Sequence, residues 1–319
     1  MTYLAVFIVL SSTILIYFKV ANKYNIVDQP NHRSSHINST IRGGGIIFPV
    51  TVIIWFALTN YTYNLFFMGF MIISIISFLD DIYNLKQYQR LIGQIISVCF
   101  LLFQANCFIL PIWMWFLGFI FILGWINTFN FMDGINGITM FHTGTILLSF
   151  YWMPVLVEFQ QLIKFMGLAI LIFGFFNVRI NARTFLGDVG SITIAFILGF
   201  LMLVVMVETH RWEYILFFSV YGIDSVLTIC QRILLRENIF LPHRRHLYQY
   251  LVNEKHWPHL VVSAIYAVLQ GIISVVLVLL IIPHPHSTIL SISLLIVLGF
   301  IYLIIKYQVV YSLQKVKRY

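Results

Sequence analysis

The chain has 319 residues, 61% of them apolar or aromatic and only 9% charged, with a mean hydropathy of +0.93. Soluble globular domains carry about 25% charged residues, so a water-soluble enzyme is excluded and an integral membrane protein is indicated. The formal net charge of +8 calls for no nucleic acid, because basic loops at a bilayer surface suit anionic membrane lipids.

A bilayer-crossing helix needs roughly 20 mostly apolar residues. On that measure spans are predicted near 2–18, 44–59, 65–80, 91–105, 111–128, 139–156, 162–178, 190–207, 214–235, 260–282 and 288–305. No run alternates with period two, which argues against a β-barrel. The expectation is an all-α polytopic membrane protein of ten or eleven helices, forming one domain over 1–319, since no connection has room for a soluble one. The first span lacks a preceding positive charge and a small-residue cleavage site, and Lys19 and Lys23 follow it, which reads as an anchor rather than a signal peptide. With the N-terminus outside, seventeen of the nineteen lysines and arginines fall on one face, leaving Lys164 and Arg211 opposite. The positive-inside rule then makes that face, and the C-terminus, cytoplasmic. Cys99, Cys107 and Cys230 have no zinc-like spacing and are expected to be packing residues.

The inner connections carry the chemistry. They read "DQPNHRSSHINSTIRGGG" (28–45), "SFLDDIYNLKQYQR" (77–90), "NTFNFMDGINGI" (127–138), "NARTFLGDVGS" (181–191) and "LPHRRHLYQYL" (241–251). Asp80, Asp81, Asp133 and Asp188 lie at three inner helix ends. Carboxylates gathered there repel unless a cation joins them, and Mg²⁺ characteristically takes one or two carboxylates plus substrate phosphate oxygens. The bland reading, in which each Asp simply marks a helix end in water, stays open. Glycines beside Asp133, Asp188 and Arg42 permit close backbone approach, and Gly190-Ser191 is expected to open a helix whose free N–H groups favour an anion. Such glycines also serve helix packing. His243, Arg244, Arg245, His246, Tyr248 and Gln249 form a cationic and hydrogen-bonding cluster suited to diphosphate, or else to lipid headgroups. Asp224, Thr228, Arg232 and Arg236 recur every four residues as one polar helix stripe, with Asp224 deep enough to require a partner. His32 and His36 read equally well as substrate contacts or hydrated loop.

Together these stretches resemble a known family. "D-x-P-N-x-R-S-S-H…R-G-G-G" (28–45), "D-D-x-x-x-L-x-x-x-x-R" (80–90), "N-x-x-N-x-x-D-G-I-N-G-I" (127–138), "F-L-G-D-V-G-S" (185–191) and "H-R-x-H-x-Y-Q" (243–249) are similar to the motifs of the polyprenyl-phosphate sugar-1-phosphate transferases. This is glycosyltransferase family 4, which includes the bacterial translocase that makes the first lipid intermediate of peptidoglycan. The resemblance implies transfer of a sugar-1-phosphate from a UDP-sugar to undecaprenyl phosphate in the bacterial inner membrane, with Mg²⁺ or Mn²⁺; the oligomeric state stays open, a homodimer among the options. It implies Asp188 and Asp81 as metal ligands, and Asp80, Asp81, Asp188, His243 and His246 as the catalytic set. Asn130, Asp133, Asn136, Arg244, Arg42 and His36 are implied as substrate-binding residues.

Three departures qualify it. Asn136 stands where the family often has an acid, and Asn181 where it often has a proline. Asn177 lies about one residue from its expected distance to Asp188, so neither Asn177 nor Asn181 is carried as a ligand. The histidine loop lacks the peptidoglycan translocase's consecutive histidines, which leans toward the branch that starts O-antigen or capsule units with N-acetylated, often 6-deoxy, hexosamines. The competing class is a transporter or flippase of an anionic lipid or sugar phosphate, or an inactive member of the family. A transporter is expected to place its polar site at the midplane.

Overall fold

The computed structural model describes residues 2–30, 39–238 and 243–316. His36 lies outside them. Helices run over Thr2–Lys23 (α1), Ile47–Leu58 (α2), Asn64–Tyr83 (α3), Gln87–Gln104 (α4), Ile112–Met132 (α5), Ile138–Tyr151 (α6), Gln160–Asn177 (α7), Gly187–Thr209 (α8), Ser219–Leu234 (α9), Leu247–Gln249 (α10), His259–Val276 (α11) and Ser287–Val316 (α12). Every one of the eleven sequence-derived spans coincides with a helix. Among the described residues, eight helical segments are long and apolar enough to cross a membrane. The protein is an all-α polytopic membrane protein. The segments that fall short include α2 and α6, of 12 and 14 residues.

The helix α8 is the axis of the bundle. Its sequence is apolar on all sides, and a helix of that kind is stable only where neighbours cover every face. Its most hydrophobic window is 89% buried, against 11% for α12 at the periphery. It packs on α3 and α5, where Trp125 Nε1 donates to Ala195 O at 3.0 Å. Lipid tails are as apolar as these side chains, so the cohesion comes from close packing and internal hydrogen bonds.

The only sheet among the described residues is a two-residue antiparallel pair, Val27–Asp28 (β1) with Thr40–Ile41 (β2). It matters because the chain continues from β2 alongside the segment before α8. Phe185 N–H donates to Ile41 O at 2.7 Å, and Gly44 and Gly45 N–H donate to Phe185 O and Leu186 O, each at 3.0 Å. This short ladder brings Arg42 to the start of α8. It needs glycine: a Cβ on Gly45 would lie 2.4 Å from Gly190 Cα, and one on Gly187, at φ +73°, would lie 2.8 Å from Gly43 Cα.

Candidate active site

The turn between α3 and α4 is built by one of its own acids. Asn84, in the left-handed region, ends α3 by donating its N–H to Asp80 O. Asp80 Oδ1 then accepts the Leu85 N–H at 2.6 Å, and Arg90, from the first turn of α4, reaches back to Asp80 Oδ2 at 3.0 Å. The spacing of acid, leucine and arginine in "DDIYNLKQYQR" is therefore the spacing of a closed turn. The same Arg90 nitrogen, Nη1, lies 3.5 Å from Asp188 Oδ2 on α8.

Asp81 does something different. Its Oδ1 accepts the Asp188 N–H at 2.8 Å and its Oδ2 the Val189 N–H at 3.0 Å, while Arg42 Nε donates to Oδ1 at 2.8 Å. It caps α8 from another helix, a carboxylate at the positive end of the helix dipole. Two expectations change here. The free N–H groups at the start of α8 are taken by an internal acid, so they are not a ready phosphate cradle. Asp81 itself has a side chain with 0% exposure and both oxygens engaged, which suits positioning Asp188 better than ligating a metal.

Asp188 is the acid that faces outward. Its Oδ1 accepts from Asn130 Nδ2 at 3.2 Å and from Arg42 Nη2 at 3.4 Å, and Asn130 also donates to Ser191 Oγ at 2.9 Å. Arg42, Asp80, Asp81, Asn130 and Asp188 thus form one cluster, as their motifs suggested, with Arg90 as its sixth member. Arg90 stood in the quoted motif without being singled out; its distance from Asp80, ten residues across a tight turn, was the available signal. Three carboxylates face two guanidinium groups, so the cluster carries an excess of negative charge.

Beside it opens a cavity of about 340 Å³ lined by polar groups including Asn130, Asp133, Asn136, Asp188, Gln249 and His259. Asp133, at the end of α5, accepts the Thr139 hydroxyl hydrogen bond, and burial pushes its carboxyl up to about 7. Asn136 lines the cavity, yet its amide hydrogens are spent on Arg179 O at 2.8 Å and Ile180 O at 3.1 Å. Asn177, set aside on spacing, joins the two loops: its Oδ1 accepts from Gly137 N–H at 2.9 Å and its Nδ2 donates to Thr184 O at 3.0 Å. Gln249, the last residue of the H-R-x-H-x-Y-Q motif, also lines the wall, as does His259, which was not singled out from sequence.

The histidine loop stands apart. His243, Arg244 and His246 are absent from the cavity lining, although Gln249 of the same loop reaches it and Tyr248 donates to Phe131 O at 2.9 Å. His246 is buried, its Nδ1 3.0 Å from Asp224 Oδ1. Burial, reinforced by surrounding positive charge, pushes the His243 imidazole down to about 4. The polar stripe on α9 holds for Asp224, Thr228 and Arg232, all buried. Arg236 leaves it, because α9 ends at Leu234 and Arg236 turns away at φ +54°.

Among the described residues no group of three or more acids, histidines or cysteines forms a ready metal cage. The donor set nevertheless fits a hard cation of the Mg²⁺ kind, which needs only one or two carboxylates and completes its shell with phosphate oxygens and water. Asp188, the carboxylate of the cluster that lines the cavity, is the residue that would hold it, since Asp80, like Asp81, is buried with both oxygens engaged.

Residues 63–206 match the family model described as glycosyl transferase family 4. That stretch contains Asp80, Asp81, Arg90, Asn130, Asp133 and Asp188. The chain is 26% identical over 208 residues to a phospho-N-acetylmuramoyl-pentapeptide-transferase of Thermotoga maritima, covering 59% of this chain and 67% of that one. It is 26% identical over 239 residues to an undecaprenyl-phosphate alpha-N-acetylglucosaminyl 1-phosphate transferase of the same organism, covering 71% and 72%. A phospho-N-acetylmuramoyl-pentapeptide-transferase of Lactococcus lactis subsp. cremoris is 25% identical over 244 residues, covering 67% and 72%. The family match falls on the residues that build the acidic cluster, so over 63–206 the chain is similar to glycosyl transferase family 4, as it is to these relatives.

Proposed function

We propose that the protein transfers a sugar-1-phosphate, an N-acetylated hexosamine or 6-deoxyhexosamine phosphate, from a UDP-sugar to undecaprenyl phosphate. The products are undecaprenyl-diphosphate-sugar and UMP, and the step begins an O-antigen, capsule or other envelope glycan on the cytoplasmic side of the bacterial inner membrane. The observation that carries this reading is the cluster of Asp80, Asp81 and Asp188 with Arg42 and Arg90, beside a polar cavity at the ends of apolar helices. One substrate cannot leave the bilayer and the other cannot enter it, so both can meet only at such a boundary.

In the reaction an oxygen of the lipid phosphate attacks the phosphorus that bears the sugar. A new P–O bond forms, the bond to the UMP phosphate breaks, and UMP leaves with the electron pair. Little covalent chemistry falls to the protein; positioning and electrostatics do the work. Asp80 orients Arg90 and takes the proton of the acceptor phosphate. Arg42 and Arg90 offer guanidinium groups to phosphate oxygens. Asn130 holds Asp188 in place, Asp81 fixes the start of α8, and Asp133 and Asn136 line the region for the nucleotide-sugar. A divalent cation, Mg²⁺ or Mn²⁺, would be held by Asp188 and would supply charge neutralisation for the phosphates. The negative excess of the cluster supports this need, since two anionic substrates must approach it. His243, Arg244 and His246 serve the diphosphate from the histidine loop.

The test incubates purified protein with undecaprenyl phosphate, Mg²⁺ and a panel of UDP-N-acetylhexosamines, following released UMP and lipid-linked sugar phosphate with and without EDTA. Both products should appear together and vanish with EDTA. Labelled sugar accumulating inside sealed vesicles without any lipid-linked product would overturn the reading in favour of transport.

A further inference from the structure

Asp224 is an acid inside a helix span, away from the cavity, with 1% exposure. Five donors surround it. Oδ1 accepts from Tyr302 OH at 2.9 Å, Leu247 N–H at 3.3 Å and Thr228 Oγ1 at 3.4 Å, and lies 3.0 Å from His246 Nδ1; Oδ2 accepts from Tyr266 OH at 2.7 Å. Four elements, α9, α10, α11 and α12 with the residue before α10, meet on one carboxylate. Lys306 extends the network by donating to Thr228 Oγ1 at 2.8 Å.

The imidazole is the informative member. With Nδ1 on the carboxylate, ring orientation and tautomer are both set, because the hydrogen bond at one ring nitrogen fixes the role of the other. His246 Nε2 is buried and has no hydrogen-bond partner among the described residues. A merely structural anchor has no use for that arrangement: phenols and backbone N–H groups already satisfy Asp224, and a buried nitrogen without a partner costs free energy. Other buried polar atoms among the described residues also lack partners, such as both ring nitrogens of His142 in the core; what sets His246 apart is that its other nitrogen is held on a buried carboxylate. The His243 ring lies 5.0 Å from the His246 ring and 6.3 Å from Phe131, the residue after Asn130, so the loop approaches the acidic cluster along the end of α5.

We propose that Asp224 is a positioning residue for the transfer reaction: it holds His246 Nδ1–H and so aims Nε2, which in the protonated ring is a second N–H donor, at a phosphate oxygen of the substrates. This rests on the transferase reading given above. Tyr266 and Tyr302 lock the carboxylate itself, so that the outermost helix of the bundle bears on the site through Tyr302.

The experiment combines kinetics with a spectroscopic readout that needs no turnover. Asp224→Asn, Asp224→Glu, His246→Ala and the Asp224→Asn/His246→Ala double variant are purified in detergent, checked by thermal unfolding, and assayed with undecaprenyl phosphate and a UDP-N-acetylhexosamine. Asp224→Asn should lower kcat by about tenfold or more while KM for the nucleotide sugar changes little, as loss of a partner that orients a working histidine does. Asp224→Glu should recover part of it. The double variant should be no slower than His246→Ala alone, because Asp224 acts through His246. Multiplicative losses in the double variant, or full kcat in folded Asp224→Asn, would overturn the proposal. In ¹⁵N-histidine-labelled protein, the His246 signal should report a protonated Nδ1 that is lost or redistributed in Asp224→Asn. An unchanged signal would overturn the pairing even if no sugar were turned over, whereas an inactive protein with the expected signal change would indict the transferase reading instead.

Discussion

Two acidic centres in this protein solve the same problem in opposite ways. Around Asp80, Asp81 and Asp188 the carboxylates are answered by two arginines, a neighbouring helix end and an open polar cavity. Around Asp224 a single carboxylate is sealed among phenols, a hydroxyl and an imidazole, with no cavity beside it among the residues that line one. The first arrangement leaves charge unbalanced and accessible, which is what binding an ion or anionic substrate requires. The second satisfies every lone pair it can, which is what holding a side chain still requires. An acid in a membrane protein is thus read by what answers it, not by its depth.

The comparison is broken most severely at the accessible end. Asp188→Asn should lower transfer by about 10³-fold, ~4 kcal/mol on the barrier, with the detergent-solubilised protein still folded; near-normal turnover would remove Asp188 from the reacting centre. Asp81→Asn tests the other half of that cluster. It removes the charge that answers Arg42 and turns one of the two buried acceptor oxygens into an NH₂ facing a donor, so thermal unfolding should reveal a loss of about 3 kcal/mol, and activity should fall with stability rather than ahead of it. Gly187→Ala is a milder version, since its Cβ would lie 2.4 Å from Asp81 Oδ2 at a positive φ; about 2 kcal/mol is expected from strain and crowding.

The smallest effect belongs to the histidine loop. Burial, with the positive charge around it, pushes the His243 imidazole down to about 4 from the 6.5 of a free side chain. The unfolded chain therefore binds the proton first, and this residue's contribution to stability is lost as pH falls from 6.5 through 4. His243→Gln should flatten the acid side of a Tm-against-pH curve, measured between about pH 7 and 5, without changing the plateau.

The helices were legible in the sequence because each is an apolar run, and an apolar run in a bilayer has only one way to satisfy its backbone. Their ends were less so. α12 continues past the apolar stretch to Val316, since an established helix propagates into polar residues at little cost, and α9 begins at Ser219 after a tighter turn over Trp212–Phe218. In the site, the paired aspartates and Asp188 stood out by composition and spacing. What each does could not be read there: Asp80 and Asp81 are adjacent in sequence, yet one closes its own turn and the other reaches across to α8. Asn177 was passed over because its role is to join loops at 137 and 184, a contact that only the fold creates. Asp224 was flagged by depth alone, and its partners arrive from three later helices.

The start of α8 has a consequence for inhibitor design. A helix N-terminus ordinarily rewards a ligand that brings its own anion, and a phosphate mimic aimed there would seem a natural choice. Here the seat is already filled by Asp81, held at 2.8 and 3.0 Å by the very amides such a group would seek. A competitor for this cavity has nothing to gain from that end; its affinity must come from the exposed edge of Arg42 or from uncharged contacts along the wall formed by Asn136 and His259.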